Sequence, residues 1–418
     1  MNNKLEFKRT EIGRIPKEWE MVRLREVGEL QYGYTCSAVK EDTGIKLLRI
    51  TDINDDGKVN WKSVPYCDVN KSNYEKYKLA LGDILFARIG ATTGKTAFVG
   101  REVKGVFASY LIKFKPLLKE LETKFLYYFT QSNPYWIQVH KNKEGQLKKG
   151  LNAKVLGTIK LPLPPITEQK KIAEILSTVD QAIEKVDEAI KKTQRLKNGL
   201  MQELLTKGIG HKEFKETEIG RIPKKWEVNS VAEVGTLQYG ITKTAIKVGT
   251  GVKFLRITDI TDEGVKWDDV PYCELTKNEL EKYELKDGNI LFARIGATTG
   301  KTCFIEKAPK GVFGSYLLRM QPSKDIDTKL LYFFTQSASY WNQVNAVKGG
   351  QLKGGLNTKL LGSIKLPIPP LFEQQKIAEI LSTVDGRLEL LRKRKERLER
   401  TKKGLMNDLL TGRVRVKG

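Results

Sequence analysis

The sequence predicts an α+β chain: two similar mixed α/β globular domains, separated by two long helices that pair as an antiparallel coiled coil with pseudo-twofold character. Three observations predict it. The chain is written twice, with FKRTEIGRIPKEWEM at 7–21 returning as FKETEIGRIPKKWEV at 214–228, and EQKKIAEILSTVD at 168–180 returning as EQQKIAEILSTVD at 373–385. Each copy then changes character, from a stretch rich in Gly, aromatic and β-branched residues to a proline exit. Each exit opens on an apolar heptad. The offset between copies falls from 207 (Trp19 to Trp226) to 206 (Arg88 to Arg294) to 205 (Asp180 to Asp385), so two single-residue deletions explain the drift. A repeat this long is a domain plus an appendage, not a solenoid unit.

Four regions follow: 1–166, 167–210, 211–371 and 372–418. In the first and third, short apolar runs such as KLLRITDI, DILFARIG and GVFASYLIKF are bounded by Gly and Asp and read as strands. KFLYYFTQSNPYWIQV, matched by KLLYFFTQSASYWNQV, has helical spacing and reads as one helix. LPLPP (161–165) and LPIPP (366–370) close the domains, because proline cannot donate to a ladder and stiffens the exit.

The helical seams come next. The first runs Ile172, Leu176, Val179, Ile183, Val186, Ile190 and Thr193, breaks at Lys197, and resumes at Leu200 and Leu204. The second runs Ile377, Leu381, Val384, Leu388, Leu391, Leu398, Leu405 and Leu409, with breaks at Lys395 and Lys402. Alternating steps of four and three mark a coiled-coil seam. Thr167 is a candidate cap for the first helix, Phe372 cannot cap the second, and Gly208 and Gly412 are candidate stops. From Ile172 to Thr206 such a helix is about 50 Å long, a rigid spacer. Antiparallel pairing about a pseudo-twofold would put one globular domain at each end, matching the local twofold of duplex DNA.

Charge points the same way. Lys and Arg number 74 against 50 Asp and Glu, a formal net charge of +24, which favours a polyanion and above all nucleic acid. No apolar run reaches a membrane span and the start is polar, so a cytoplasmic protein with no membrane partner is expected. Cys36, Cys67, Cys273 and Cys303 lack metal-site spacing, and with two histidines no zinc site is expected; free thiols are.

Several motifs suggest chemistry that their spacing denies. GATTGKT at 90–96 and 296–302 has three residues between its glycines, where a nucleotide loop needs four. It reads instead as a tight turn whose backbone N–H groups and Thr92, Thr93, Lys95 and Thr96 face a DNA phosphate. NPYW at 133–136 lacks the second proline of an amino-methyltransferase loop and is ASYW in the other copy. DINDDG at 52–57 reads as a turn, not a calcium loop. His140 aligns with Asn345, so no catalytic set occurs in both copies. Basic and polar residues do: Arg49 and Arg256, Arg88 and Arg294, Thr92 and Thr298, Thr93 and Thr299, Lys95 and Lys301, Lys113 and Arg319, Gln146 and Gln351, Lys148 and Lys353. Arginine reads guanine, glutamine reads adenine and lysine holds phosphate, so these are the candidate DNA-binding residues. The segments 34–43 and 140–150 differ from 241–250 and 345–355, where two half-sites would be told apart. The run RKRKERLERTKK (392–403) reads as a solvated coiled-coil face.

Together, the GRIPKEWE and GRIPKKWE pair, the GDILFARIGATTGKT segment and GQLKKGLNAKVLGTIKLPLPPITEQKKIAEIL with its repeat resemble the specificity subunit of type I restriction–modification systems, over nearly the whole chain. The resemblance implies two target-recognition domains, each followed by a helix, in a non-catalytic subunit. It implies recognition of a bipartite sequence in double-stranded DNA and recruitment of two methyltransferase subunits, then restriction subunits. S-adenosylmethionine, ATP and Mg belong to those partners, with no cofactor in this chain. The exposed helix faces and the TEIGRIPKEWE segments are the candidate docking surfaces. Because the copies are so alike, the half-sites are expected to be the same or nearly so, in an interrupted near-palindrome. The competing readings are a stand-alone sequence-specific DNA binder and a self-contained DNA methyltransferase.

Overall fold

The computed structural model describes residues 6–54, 56–144, 150–249, 251–261, 264–349 and 355–416. It forms two compact units, one of Met1–Asp187 with Lys393–Gly418 and the other Glu188–Arg392. The division falls inside both long helices rather than at the proline exits. Each half-helix packs on a globular domain and on a half of the other helix.

In the first unit, β1 (Phe7–Thr10) and β2 (Gly13–Pro16) form a hairpin with Thr10 opposite Gly13. β3 (Glu20–Arg23) pairs antiparallel with β10 (Lys160–Leu163), joining the start of the domain to its end. The central sheet has β4 (Gly28–Tyr32), β9 (Leu111–Pro116), β6 (Ile84–Ala87) and β7 (Thr96–Phe98) in that order, all antiparallel. β5 (Lys46–Leu48) and β8 (Gly105–Phe107) make a separate parallel pair. Period two decides the layers. Ile84 and Phe86 pack with Phe114, Leu126, Phe129 and Tyr135, while Leu85 and Ala87 pack on the other face with Leu48, Phe107 and Leu111. Both faces are covered, which is why ILFA is apolar throughout.

The sequence KFLYYFTQSNPYWIQV forms two helices rather than one, Thr123–Thr130 and Asn133–Glu144. Pro134 has no N–H to give a continuing helix, and Ser132 turns its hydroxyl back to the Phe129 carbonyl at 2.6 Å. The second copy breaks at the same place without a proline, Ser337 Oγ there accepting the Tyr340 N–H at 3.2 Å.

The second unit repeats this plan. Gly235–Tyr239, Leu317–Pro322, Ile290–Ala293 and Thr302–Phe304 form its four-stranded sheet, and Lys253–Leu255 pairs parallel with Gly311–Phe313.

The long helices are Ile166–Leu204 and Leu371–Leu409. Both start directly after the double proline, with the Glu168 and Gln169 N–H groups on the Pro165 carbonyl. Thr167 therefore lies inside the first turn and does not cap it. A buried amide anchors the start instead. Gln169 accepts the Glu122 N–H at 2.9 Å and donates to the Glu120 and Pro164 carbonyls at 2.9 and 2.7 Å. Gln374 repeats this with Asp327, Asp325 and Pro369. Gly208 and Gly412 take positive φ of 67° and 68°, the left-handed stop that glycine allows.

Within each unit the half-helices run antiparallel. In the first, Ile172 and Leu176 pack with Leu405, Met406 and Leu409; in the second, Met201 and Leu204 pack with Ile377 and Leu381. The lysines read as seam breaks are partners of carboxylates that each follow a seam valine on the other helix. Lys402 meets Asp180, Lys395 meets Asp187 and Lys197 meets Asp385, each at 2.7 Å. A one-heptad slip would keep only one Asp–Lys match and set the remaining charges against apolar or like-charged residues, so the pairs favour this register and direction.

Candidate nucleic-acid interface

GATTGKT is a tight turn in both units, but it does not offer a ring of N–H groups. Gly90 and Gly94 take φ of 72° and 94°. The N–H groups of Thr93, Gly94 and Lys95 bond to the Gly90, Ala87 and Thr92 carbonyls. The Thr93 hydroxyl also turns in, to the Gly90 carbonyl at 2.6 Å, and the Thr96 hydroxyl lies 2.7 Å from that of Thr130. NPYW acquires a role here. Tyr135 donates to the Gly94 carbonyl at 2.8 Å, and Trp136 and Val139 leave no room for a Cβ on Gly94. Tyr340, Trp341 and Val344 do the same at Gly300.

The expected phosphate cradle is therefore corrected. Thr93 and Thr299 are buried and face their own turn. Thr92 is half-buried and Thr298 exposed at the tip, and Lys95 and Lys301 are half-buried with partners inside the protein. Lys113 and Arg319 are likewise interior. Lys113 donates to the Lys78 carbonyl at 2.9 Å and lies 3.6 Å from Asp83, a carboxyl whose pKa burial raises. Arg319 donates to the carbonyls of Glu284 and Lys282 and to Gln238. Arg49 and Arg256 reach the surface but give their forks to Asp52 and Asp259, at 2.9 and 2.8 Å through Nη2. Those hydrogen bonds hold both guanidinium pKa values above the ordinary one. Gln146, Lys148, Gln351 and Lys353 lie outside the described residues.

Arg88 and Arg294 are different. Arg88 stacks over the Tyr32 ring at 4.9 Å and donates through Nη1 to the Ser109 carbonyl at 3.3 Å. Among the described residues its Nε is buried without a hydrogen-bond partner, as is that of Arg294. Arg294 stacks over Tyr239 at 5.0 Å and donates to Ser315 at 3.2 Å. Around each arginine stand large aromatic rings in the open: Tyr32 and Tyr110 are 41% and 53% exposed, Tyr239 and Tyr316 39% and 56%. Backbone bonds fix the group. The Arg88 carbonyl accepts the Leu151 N–H at 2.8 Å, and the Tyr32 hydroxyl accepts the Ala153 N–H at 2.9 Å. Leu356 and Thr358 serve Arg294 and Tyr239 likewise. A guanidinium stacked on one exposed tyrosine, with a second exposed tyrosine whose carbonyl accepts the arginine N–H at 3.1 Å, on a strongly basic chain, suits phosphate and base edges.

Sequence reasoning missed the four tyrosines. Their signal was available: each is identical in both copies and flanks a glycine or serine at a strand end.

The GRIP-x-x-W segments have an interior role. Ile15 and Trp19 pack with Ile172, Leu176 and Leu409, and Trp19 Nε1 donates to Glu168 at 3.1 Å. Arg415 clamps Glu168 at 2.7 Å and Glu18 at 3.1 Å. In the other unit Trp226 Nε1 donates to Glu373 at 3.0 Å, and His211 lies 2.9 Å from the same carboxylate. The apolar side of this segment is thus unavailable to a partner, leaving its exposed hairpin edge.

All four cysteines are free thiols, and burial pushes Cys67 and Cys303 up to about 12. Among the described residues there is no cluster of acidic, His and Cys side chains fit for a metal, and no helix long and apolar enough to cross a membrane.

Comparison with known proteins agrees with the duplicated architecture. The family model for the type I restriction modification DNA specificity domain matches twice, at 16–192 and 223–400. The putative type I restriction enzyme MjaX specificity subunit of Methanocaldococcus jannaschii is 33% identical, the alignment covering 98% of this chain and 97% of that protein. The EcoKI specificity subunit of Escherichia coli is 23% identical over 87% of this chain and 82% of its own length. In fold, the chain resembles the S subunit of a type I restriction-modification system from M. genitalium, with a TM-score of 0.62 at 15% identity, over 94% of this chain and 96% of that one. Two recognition-type domains, two proline-led helices and two matches to one family model lead to one assignment: this chain belongs to the type I restriction–modification DNA specificity family, whose members are specificity subunits rather than catalytic ones.

Proposed function

We propose that the chain reads a bipartite site in double-stranded DNA, one half through the surface around Arg88, Tyr32 and Tyr110 and the other through Arg294, Tyr239 and Tyr316. The observation that carries this is the recurrence of that arginine–tyrosine cluster, residue for residue, in both units. The paired helices act as a ruler for the unread gap. Their exposed faces and the outer hairpin edges receive two methyltransferase subunits, and restriction subunits join the full complex. S-adenosylmethionine, ATP and Mg are bound by those partners, not by this chain. The identical clusters also favour two half-sites that share their central bases, so the target is an interrupted near-palindrome.

The test is modified-base sequencing of DNA from a strain expressing the chain with its cognate methyltransferase subunit. A two-part methylated motif is expected. Arg88→Ala and Arg294→Ala should each lower methylation about ten- to a hundredfold, as loss of one bidentate base contact does. Adding about four residues, one turn, to both helices should lengthen the gap and leave the half-sites intact. Methyl-donor binding and turnover by the isolated chain would overturn the reading.

A further inference from the structure

Beside the shared arginine–tyrosine cluster, the two units present different chemistry at one edge. In the first unit Tyr34 follows β4 and lies next to Ala108, one residue before the Ser109 that holds Arg88. Its hydroxyl accepts from Asn73 Nδ2 at 3.3 Å, and its ring leans on Tyr77 at 5.3 Å. Cys36 packs close by, against the buried Cys67. Tyr34, Cys36 and Asn73 are themselves uncharged side chains, with Lys76 over the Tyr77 ring beside them. In the second unit Ile241 takes the place of Tyr34, next to Gly314 and one residue before Ser315. Lys243 replaces Cys36 and Glu279 replaces Asn73, and the two form an ion pair at 2.8 Å, about 30% exposed on each side. Glu279 is held by the Thr276 N–H at 2.9 Å, and its pKa is lowered, first by the hydrogen bond from Lys243. The substitutions are concerted: a hydroxyl–amide pair in one unit is a cation–carboxylate pair in the other.

We infer that these residues, Tyr34, Cys36 and Asn73 against Ile241, Lys243 and Glu279, make the two half-sites differ at an edge base pair while their central bases agree. The inference rests on the proposed DNA-reading role of the neighbouring cluster. A lysine and a carboxylate side by side match a G·C pair, lysine donating to guanine O6 and N7 and the carboxylate accepting from the cytosine amino group. The neutral pair in the first unit has no such preference, since a hydroxyl or amide donates and accepts alike.

The experiment uses the full chain with its methyltransferase partner and reads the methylated motif. The variant Tyr34→Ile/Cys36→Lys/Asn73→Glu gives the first unit the edge of the second. Its motif should become a strict interrupted palindrome, with the new edge G·C pair preferred about ten- to a hundredfold and the gap unchanged. The reciprocal variant Ile241→Tyr/Lys243→Cys/Glu279→Asn should remove that preference from the second half-site, and it serves if the first variant misfolds. Unrelated half-sites in the wild type, or edge bases unmoved in a folded, methylating variant, overturn the inference. Absence of any bipartite motif in the wild type would instead overturn the underlying reading, so the two failures are distinct.

Discussion

The two units carry the same carboxylate one residue past a seam valine but use it differently. Asp180 in the first accepts an ion pair from Lys402 and a hydrogen bond from the Tyr128 hydroxyl at 2.8 Å. Asp385 in the second has Lys197, and Phe333 stands where Tyr128 would be, with the Lys197 ammonium over its ring at 5.5 Å. Lys197 makes up the difference on its own side by donating to Gln336 at 3.1 Å. One unit satisfies the acid twice and the other satisfies the base twice. The duplicated scaffold thus tolerates drift at a partly buried charge as long as every polar group keeps a partner.

The comparison can be broken or sharpened in order of expected effect. Trp19→Ala and Trp226→Ala remove the largest buried side chains from the two helix junctions and should each cost about 3–5 kcal/mol. Denaturant melts followed by hydrogen exchange should localise each loss to its own unit. Similar losses would show that the junctions are equivalent despite Arg415 in one and His211 in the other.

Asp180→Ala should cost about 2–4 kcal/mol and Asp385→Ala about 1–2 kcal/mol less, because the first also strands the Tyr128 hydroxyl. Equal costs would mean that this hydrogen bond contributes nothing. Tyr128→Phe makes the first unit resemble the second and should cost about 0.5–1.5 kcal/mol. In its background the two aspartate substitutions should become alike.

The smallest effect concerns pH. Asp83, buried beside Lys113, has a pKa raised above the ordinary 3.8, and Asn289 occupies its place in the second unit. The folded first unit then holds a proton that the unfolded chain releases. Its stability should therefore fall as pH rises from about that ordinary value through the raised one. Asp83→Asn should flatten this slope in pH-dependent denaturation, and the second unit should show none from this position.

Much of the fold was legible because it rests on periodicity. The run from Ile172 to Leu204 repeats every 3.5 residues on average, and ILFA is apolar at every position, patterns that one chain of letters displays in full. The helix starts were less legible. Thr167 looked like a cap, yet the long helices are anchored by Gln169 and Gln374, whose buried amides reach carbonyls 49 residues back in the chain. Lys197, Lys395 and Lys402 looked like defects for a related reason: each is explained by an aspartate on the other helix, and nothing local announces it.

The candidate site was harder still. Arg88 and Arg294 could be named from sequence, and so could Lys113 and Arg319, which the sheets bury. Strand alternation says which residues share a face, but it does not say which face a neighbouring segment will cover.

By itself, then, the sequence determined the duplication, the basic character, the sheet-forming runs and the paired heptad helices. Local propensity, hydrophobic period and net charge add up along the chain without knowledge of contacts. Tertiary structure alone decided which lysines pair in the seam, that the repeated GATTGKT turn faces inward, and which tyrosines stand beside Arg88 and Arg294. Those depend on distances between residues far apart in sequence, where burial turns the same side chain from a surface group into an internal partner.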